Sequence, residues 1–307
     1  FDELERLGGL LEDAKPASMR ARIGLRINPM VGEGAIAATS VGGRVSKFGV
    51  PLEEARSEIL AAFARWPWLR GLHVHVGSQG CTVEQLISAA RRIEGLVEEL
   101  EARCPAQVQD VDLGGGLPVA YDSSAQPPMV EVYVAALRDA CPMLMSGRYR
   151  LITEFGRAIH ANCGIAVSRV EYVKRYGPTP TAVVHFGADL LMRPVYNAKD
   201  WSHEFVALHP DGRRKEGPVY PHAVAGPLCF GGDFVGRDVA LPALEAGDLI
   251  CARDVGAYTL SMWSRHCSRS QPLVLGASDD ASLEVLRLGE TPAGVAQDWE
   301  APREGSS

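Results

Sequence analysis

The chain has no basic tract, and its 31 Lys and Arg are outnumbered by 38 Asp and Glu, for a net charge of −7. That balance gives no electrostatic reason to expect nucleic acid or an anionic membrane as a partner. No apolar run approaches the roughly 20 residues needed to span a bilayer. CxxC pairs are missing too. Seven cysteines (Cys81, Cys104, Cys141, Cys163, Cys229, Cys251, Cys267) are an odd number without disulfide-framework spacing. A reducing compartment, the cytoplasm, is the expectation. The opening FDELERLGGLLEDA is an acidic amphipathic helix, unlike a signal or transit peptide. A chain that opens in mid-helix without Met reads as one with residues upstream.

What is present is ordinary for a folded protein. Hydrophobic residues make up 46% and charged residues 22% of 307, enough for one large domain or two smaller ones. RIGLRINP at 22–29 alternates and stops at Pro29, as a buried strand would. A helix is expected from about Pro51 to Phe63, with Pro at its first turn, and GLHVHVGS at 71–78 as the next strand. Thr82 and Gln85 form a capping-box pattern for a long helix with Leu86, Ala90, Ile93, Val97 and Leu100 on one face. A third strand is expected at 108–116, a helix near 129–141 and a fourth strand at about 149–155.

This βα grammar points to a parallel sheet or (β/α) barrel over residues 1–160, with motifs at the strand ends where such barrels carry their sites. After about residue 160 it changes. Stretches 164–174, 181–186, 248–253 and 272–275 read as strands of a mostly β domain to about residue 290. A polar, disordered tail is expected over 291–307.

Five motifs fall at expected strand ends: HVHVGSQ (73–79), DLGGGLP (112–118), ITEFGR (152–157), GPLCFGGD (226–233) and DVGAYT (254–259). In that order they suit the surroundings of one phosphorylated ring, and each also has a plainer reading. His73 and His75 share a strand face. They fill a barrel interior, or one imidazole lies flat on an aromatic cofactor with Ser78 donating to its phosphate; a metal lacks a third ligand at a recognisable spacing. Gly114, Gly115 and Gly116 form a tight turn or let backbone amides approach an anion. They match neither GxGxxG nor a Walker loop. Glu154 and Arg157 form a mutual ion pair, or Glu154 bonds a protonated ring nitrogen while Arg157 faces a phosphate or carboxylate. Cys229 is a loop thiol or a functional one, Tyr258 a rim tyrosine or a phosphate donor, and Arg193 an exposed arginine or a carboxylate clamp. His266 and Cys267 read as structural.

Together these motifs resemble the fold-type III pyridoxal-phosphate decarboxylases, the diaminopimelate and ornithine decarboxylase family, and within it most the diaminopimelate branch. The resemblance runs from RINP through SKFG (46–49) to GAYT. It implies the C-terminal half of an alanine-racemase-like (β/α)8 barrel followed by a β domain, a homodimer, and pyridoxal 5′-phosphate as cofactor. It implies that His75 stacks on the pyridine ring, that Ser78, Gly114, Gly115, Gly116 and Tyr258 hold the phosphate, and that Glu154 binds the ring nitrogen. Arg157 lies by phosphate or substrate, Arg193 takes the substrate carboxylate, and Cys229 enters the partner's site as a proton donor. A carboxylate at 154 favours decarboxylation; similar racemases place an arginine there.

The chain departs from that pattern in places. The family's Schiff-base lysine is not found; Lys47 belongs to SKFG. That absence motivates an alternative, a decarboxylase-like regulator without catalysis. A sugar-phosphate barrel enzyme leaves Glu154 and Cys229 unexplained. Phe230 replaces the glutamate that meets a distal ammonium in diaminopimelate decarboxylases, EFGR replaces EPGR, and Tyr196 follows Arg193 by three residues where the family has four.

Overall fold

The strand ends that carry the first three motifs lie side by side on one parallel sheet. The structure, a computed structural model, describes residues 1–13, 22–32 and 34–300 and divides into two units, Phe1–Ala161 and Asn162–Ser307. The first unit runs α1 (Asp2–Asp13), β1 (Ile23–Asn28), β2 (Val50–Pro51), α2 (Arg56–Arg65), β3 (Leu69–Val74), α3 (Val83–Arg103), β4 (Asp110–Asp112), α4 (Val130–Ala140), β5 (Arg150–Ile152) and α5 (Gly156–His160). Its five strands pair in parallel in the order β2-β1-β3-β4-β5. Strand–helix alternation with parallel pairing is the grammar of the expected partial (β/α) barrel.

Helix α3 follows its sequence signals closely. Thr82 Oγ1 accepts from the Gln85 amide at 3.1 Å and Gln85 Oε1 accepts from the Thr82 amide at 3.0 Å, closing the capping box. Leu86, Ala90, Ile93, Val97 and Leu100 are all buried in the first unit's core with Ile27, Phe63, Leu72 and Val111.

Four boundaries differ from expectation. Pro51 does not open a helix: it pairs beside Asn28, and the Leu52 amide donates to Asn28 O at 3.0 Å, so α2 starts only at Arg56. Strand β3 ends at Val74, because Val76 O accepts from Val41 and Gly42 and draws the chain off the ladder. His75 therefore stands on the loop beyond the strand. β4 is three residues long, ending before the glycines, and Glu154 lies two residues past β5.

The second unit adds β6 (Ala166–Arg169), β7 (Tyr172–Lys174), β8 (Thr181–Val183), α6 (Met192–Tyr196), β9 (Phe205–Leu208), β10 (Val219–Ala225), β11 (Phe234–Pro242), β12 (Leu249–Ala252), β13 (Val274–Ala277), β14 (Leu283–Arg287) and α7 (Pro292–Gln297). It holds a four-stranded sheet β11-β10-β8-β7, a three-stranded sheet β6-β12-β9 and the hairpin β13-β14. Val170, Val184, Phe205, Val224, Leu241 and Ile250 pack in its own core. The unit is mostly β as expected, but the tail is not all irregular. Thr291 caps α7 by accepting from the Gly294 amide at 3.1 Å, and Val295 is buried. Residues 301–307 of that stretch, and Ala14 of the opening one, lie outside the described residues.

Candidate active site

Register places Arg26 of β1 beside His73 of β3, and His73 beside Asp112 of β4, so three polar side chains form one row across adjacent strands. Glu154 completes the group. Its carboxylate, half exposed, stands 3.7 Å from His73 Nε2, a buried nitrogen with no hydrogen-bond partner. Ligand atoms of His73, Asp112 and Glu154 lie within 4.8 Å of one another. The sequence showed no third metal ligand; folding supplies two carboxylates from separate strand ends. Arg26 shares their field, since Glu154 opposes the downward shift that burial imposes on its guanidinium. A guanidinium in the field of Glu154 offsets part of that carboxylate's pull on a bare dication. Arg26 is held by packing: its guanidinium carbon lies 4.3 Å from the ring centroid of Phe48, in SKFG.

The loop after β3 and the glycine turn after β4 are tied directly. The Gly115 amide donates to His75 Nδ1 at 3.0 Å, the Gly114 amide to Asp112 Oδ1 at 2.9 Å, and the Glu154 amide to Gly114 O at 2.8 Å. Gly114 and Gly116 have φ of +69° and +114°, in the region that favours glycine. A Cβ on Gly115 would run into the carbonyl oxygen of Glu154, and one on Gly116 would meet Gly77 O at 2.7 Å. The segment is a tight, internally bonded turn. Two of its three amides are engaged inside the protein, which concentrates any anion contact on Gly116.

Burial, then the charges of Arg26 and His73, push the His75 imidazole down to about 4, against the pull of Asp112. The ring is neutral at ordinary pH, as its acceptor role toward Gly115 requires. Arg157, in α5 and 3% exposed, donates to Ser78 Oγ through Nε at 3.3 Å and Nη2 at 3.0 Å, and through Nη1 to the Tyr121 hydroxyl. So Ser78 and Arg157, 79 residues apart, form one donor-rich corner. Tyr121 gave no sign in the sequence. Arg26 gave one: it is the lone charge in the strand IGLRIN.

The second unit gathers the remaining candidates. Cys229 is exposed, and none of the seven cysteines is joined in a disulfide. It lies between β10 and β11. Next to it the Phe230 ring stacks on Tyr196, with centroids 5.7 Å apart at 16°, and on His266, 6.0 Å apart at 20°. Tyr196 thus groups with Phe230, and His266, read as structural, is the third ring of that stack. The Arg193 guanidinium carbon lies 4.5 Å from the Trp201 ring centroid and 4.8 Å from that of Tyr258. Tyr258 sits at φ +58°. Arg193 and Tyr258, far apart in sequence, are neighbours.

Residues 1–161 match the family described as "Pyridoxal-dependent decarboxylase, pyridoxal binding domain". The chain is 33% identical over 292 residues to diaminopimelate decarboxylase of Pseudomonas fluorescens, covering 94% of this chain and 67% of that one. The enzyme of the same name from Zymomonas mobilis is 33% identical over 278 residues, 89% of this chain and 62% of its own length. The crystal structure of the Helicobacter pylori diaminopimelate decarboxylase complexed with L-lysine superposes with a TM-score of 0.82 at 27% identity, over 97% of this chain and 71% of that one. The chain thus spans about two thirds of the length of such relatives.

Proposed function

The chain belongs to the pyridoxal-dependent decarboxylases, and from that premise we propose that the complete protein removes the α-carboxylate of an amino acid. The observation that carries the reading is the bonded constellation of His75, the triple-glycine turn and Glu154 at neighbouring strand ends. Its donor set fits pyridoxal phosphate: a neutral imidazole for a ring face, a carboxylate for a protonated ring nitrogen, and a guanidinium with a hydroxyl for a phosphate. When bound, the cofactor supplies an electron sink for the bond to the departing carboxylate.

The protein's residues do the rest. His75, kept neutral, offers its ring face for stacking without adding charge. Glu154 would accept a hydrogen bond from the ring-nitrogen N–H and so keep that proton on the ring. Its fixed negative charge stabilises the pyridinium that the electron sink needs. Ser78, Arg157 and the Gly116 amide would hold the phosphate, while Gly114 and Gly115 shape the turn. Arg193 orients a substrate carboxylate. Cys229, delivered across the interface of a homodimer, gives a proton to Cα after carbon dioxide leaves.

The substrate we infer is an amino acid related to diaminopimelate whose distal end meets an aromatic face. Phe230, stacked between Tyr196 and His266, offers π surface and no carboxylate. The test is direct. The complete protein is titrated with pyridoxal phosphate, followed by absorbance, and carbon dioxide release is measured with diaminopimelate and a panel of amino acids. Cofactor uptake with release from at least one of them supports the reading. A complete protein that takes up no pyridoxal phosphate overturns it and leaves the regulator.

A further inference from the structure

We propose that Asp233 is a positioning residue that sets Cys229 and Arg193 in one fixed arrangement through a single buried carboxylate. This rests on the roles given above to those two residues and adds a third that acts through them.

Asp233 is 3% exposed at the end of the loop that carries Cys229. Its Oδ2 accepts from the Leu228 amide at 2.8 Å, immediately before Cys229. Its Oδ1 accepts from the Ala188 amide at 2.8 Å, in the turn that leads into α6 and so into Arg193. The backbone closes the same loop: the Gly226 amide donates to Asp233 O at 2.8 Å, and the Asp233 amide donates to Phe230 O at 3.2 Å. One carboxylate therefore bridges two segments more than thirty residues apart, and each bears a candidate functional side chain.

The second segment is itself built rigidly. Asp189, fully buried, accepts from the Gly187 amide at 2.9 Å, the Leu190 amide at 3.0 Å and Arg269 Nε at 2.7 Å. The Leu191 amide donates to Gly187 O at 2.8 Å, so the turn passes into α6 without slack. Gly187 and Gly226 both pack against the Asp233 carboxylate; a Cβ on either would overlap its oxygens. That packing explains the side chain's identity. Glutamate is one methylene too long for the space. Asparagine keeps the volume but turns one acceptor into a donor that faces a backbone N–H. A buried carboxylate accepting two amides is costly to build and is retained where the geometry it fixes matters.

The experiment compares the complete enzyme with its Asp233→Asn variant by peptide-resolved alkylation of cysteines. Cys163 and Cys267, also exposed, serve as internal references, and buried Cys141 and Cys251 report unfolding. The expected result is a change in the Cys229 labelling rate of about threefold or more with both references unchanged, and a fall in kcat of about tenfold with a rise in KM from the displaced Arg193. A merely structural role would alter all thiols together or none. If Asp233→Asn labels at Cys141 and Cys251, Gly226→Ala, which crowds the same carboxylate without changing its charge, takes its place with the same expectation. Unchanged Cys229 labelling with kcat within about twofold of the parent, in whichever variant is folded, overturns the proposal. The labelling does not depend on turnover, so a complete protein without decarboxylase activity defeats the functional reading and still leaves the role of Asp233 to be decided by Cys229.

Discussion

The backbone N–H of Gly115 donates to Nδ1 of His75 across 3.0 Å, joining the turn after β4 to the loop after β3. An Nδ1 that accepts leaves the proton of the neutral ring on Nε2. The tautomer and the tilt of the ring are therefore set by the protein before any ligand is considered.

A pH dependence of stability follows. In the fold His75 takes a proton only near pH 4, against an ordinary value of 6.5. Between those values the unfolded chain binds the extra proton, so stability falls as pH drops from about 6.5 towards 4 and gains nothing from His75 above that window. His75→Asn, which cannot titrate, is expected to flatten this part of the profile. Urea midpoints at pH 7 and pH 5, parent against variant, measure it.

Cofactor affinity is expected to depend on the Ser78–Arg157 corner. Arg157→Lys loses the forked donor and weakens pyridoxal phosphate uptake by about tenfold or more, as for a hydrogen bond to a charged group, and Ser78→Ala by about fivefold. Absorbance titration at fixed ionic strength reads both. Uptake by Arg157→Lys equal to the parent's removes the phosphate role.

The glycine turn gives a contrast of two alanines. Gly115→Ala pushes a methyl group into the Glu154 carbonyl and is expected to cost about 1–3 kcal/mol. Gly95→Ala, in α3 with open space around it, is expected to stabilise by up to about 1 kcal/mol. Guanidinium unfolding of the two variants should move in opposite directions.

Phe230→Glu tests the distal end of the substrate. A carboxylate at that position is expected to raise kcat/KM for diaminopimelate by about tenfold, the worth of one charge-assisted hydrogen bond. Steady-state kinetics on diaminopimelate and on the parent's best substrate show whether preference shifts. An unchanged ratio places the distal group elsewhere.

Much of the first unit was legible because its signals are local. Thr82 and Gln85 sit three apart on one helix turn, and Leu86 to Leu100 repeat at helical spacing, so α3 is written in neighbouring residues. The second unit hid four of its nine described strands, β9, β10, β11 and β14, for the opposite reason. Pro221 reads as a breaker, yet it lies in the part of β10 that pairs only with β11, beyond the residues bonded to β8. Register shifts near His222 and Val224 blur the alternation further. Pro292 and Thr291 did carry a helix start, masked by the polar composition around them.

Among the candidate residues, the motifs were legible in the sequence and the side chains that support them were not. Tyr121 reaches Arg157 from a loop with no pattern, and Asp233 acts on Ala188 across a separation no spacing rule covers. Arg26 and Asp112 meet His73 only through strand register, which is decided by tertiary pairing.

The triple-glycine turn holds its shape through bonds of its own, to Asp112, to His75 and to the Glu154 amide. The loss of freedom in that segment belongs to folding of the polypeptide, and a guest arriving later meets a lip already rigid. Differences in how tightly guests are kept should therefore appear in how slowly they leave, since arrival requires no rearrangement of this edge.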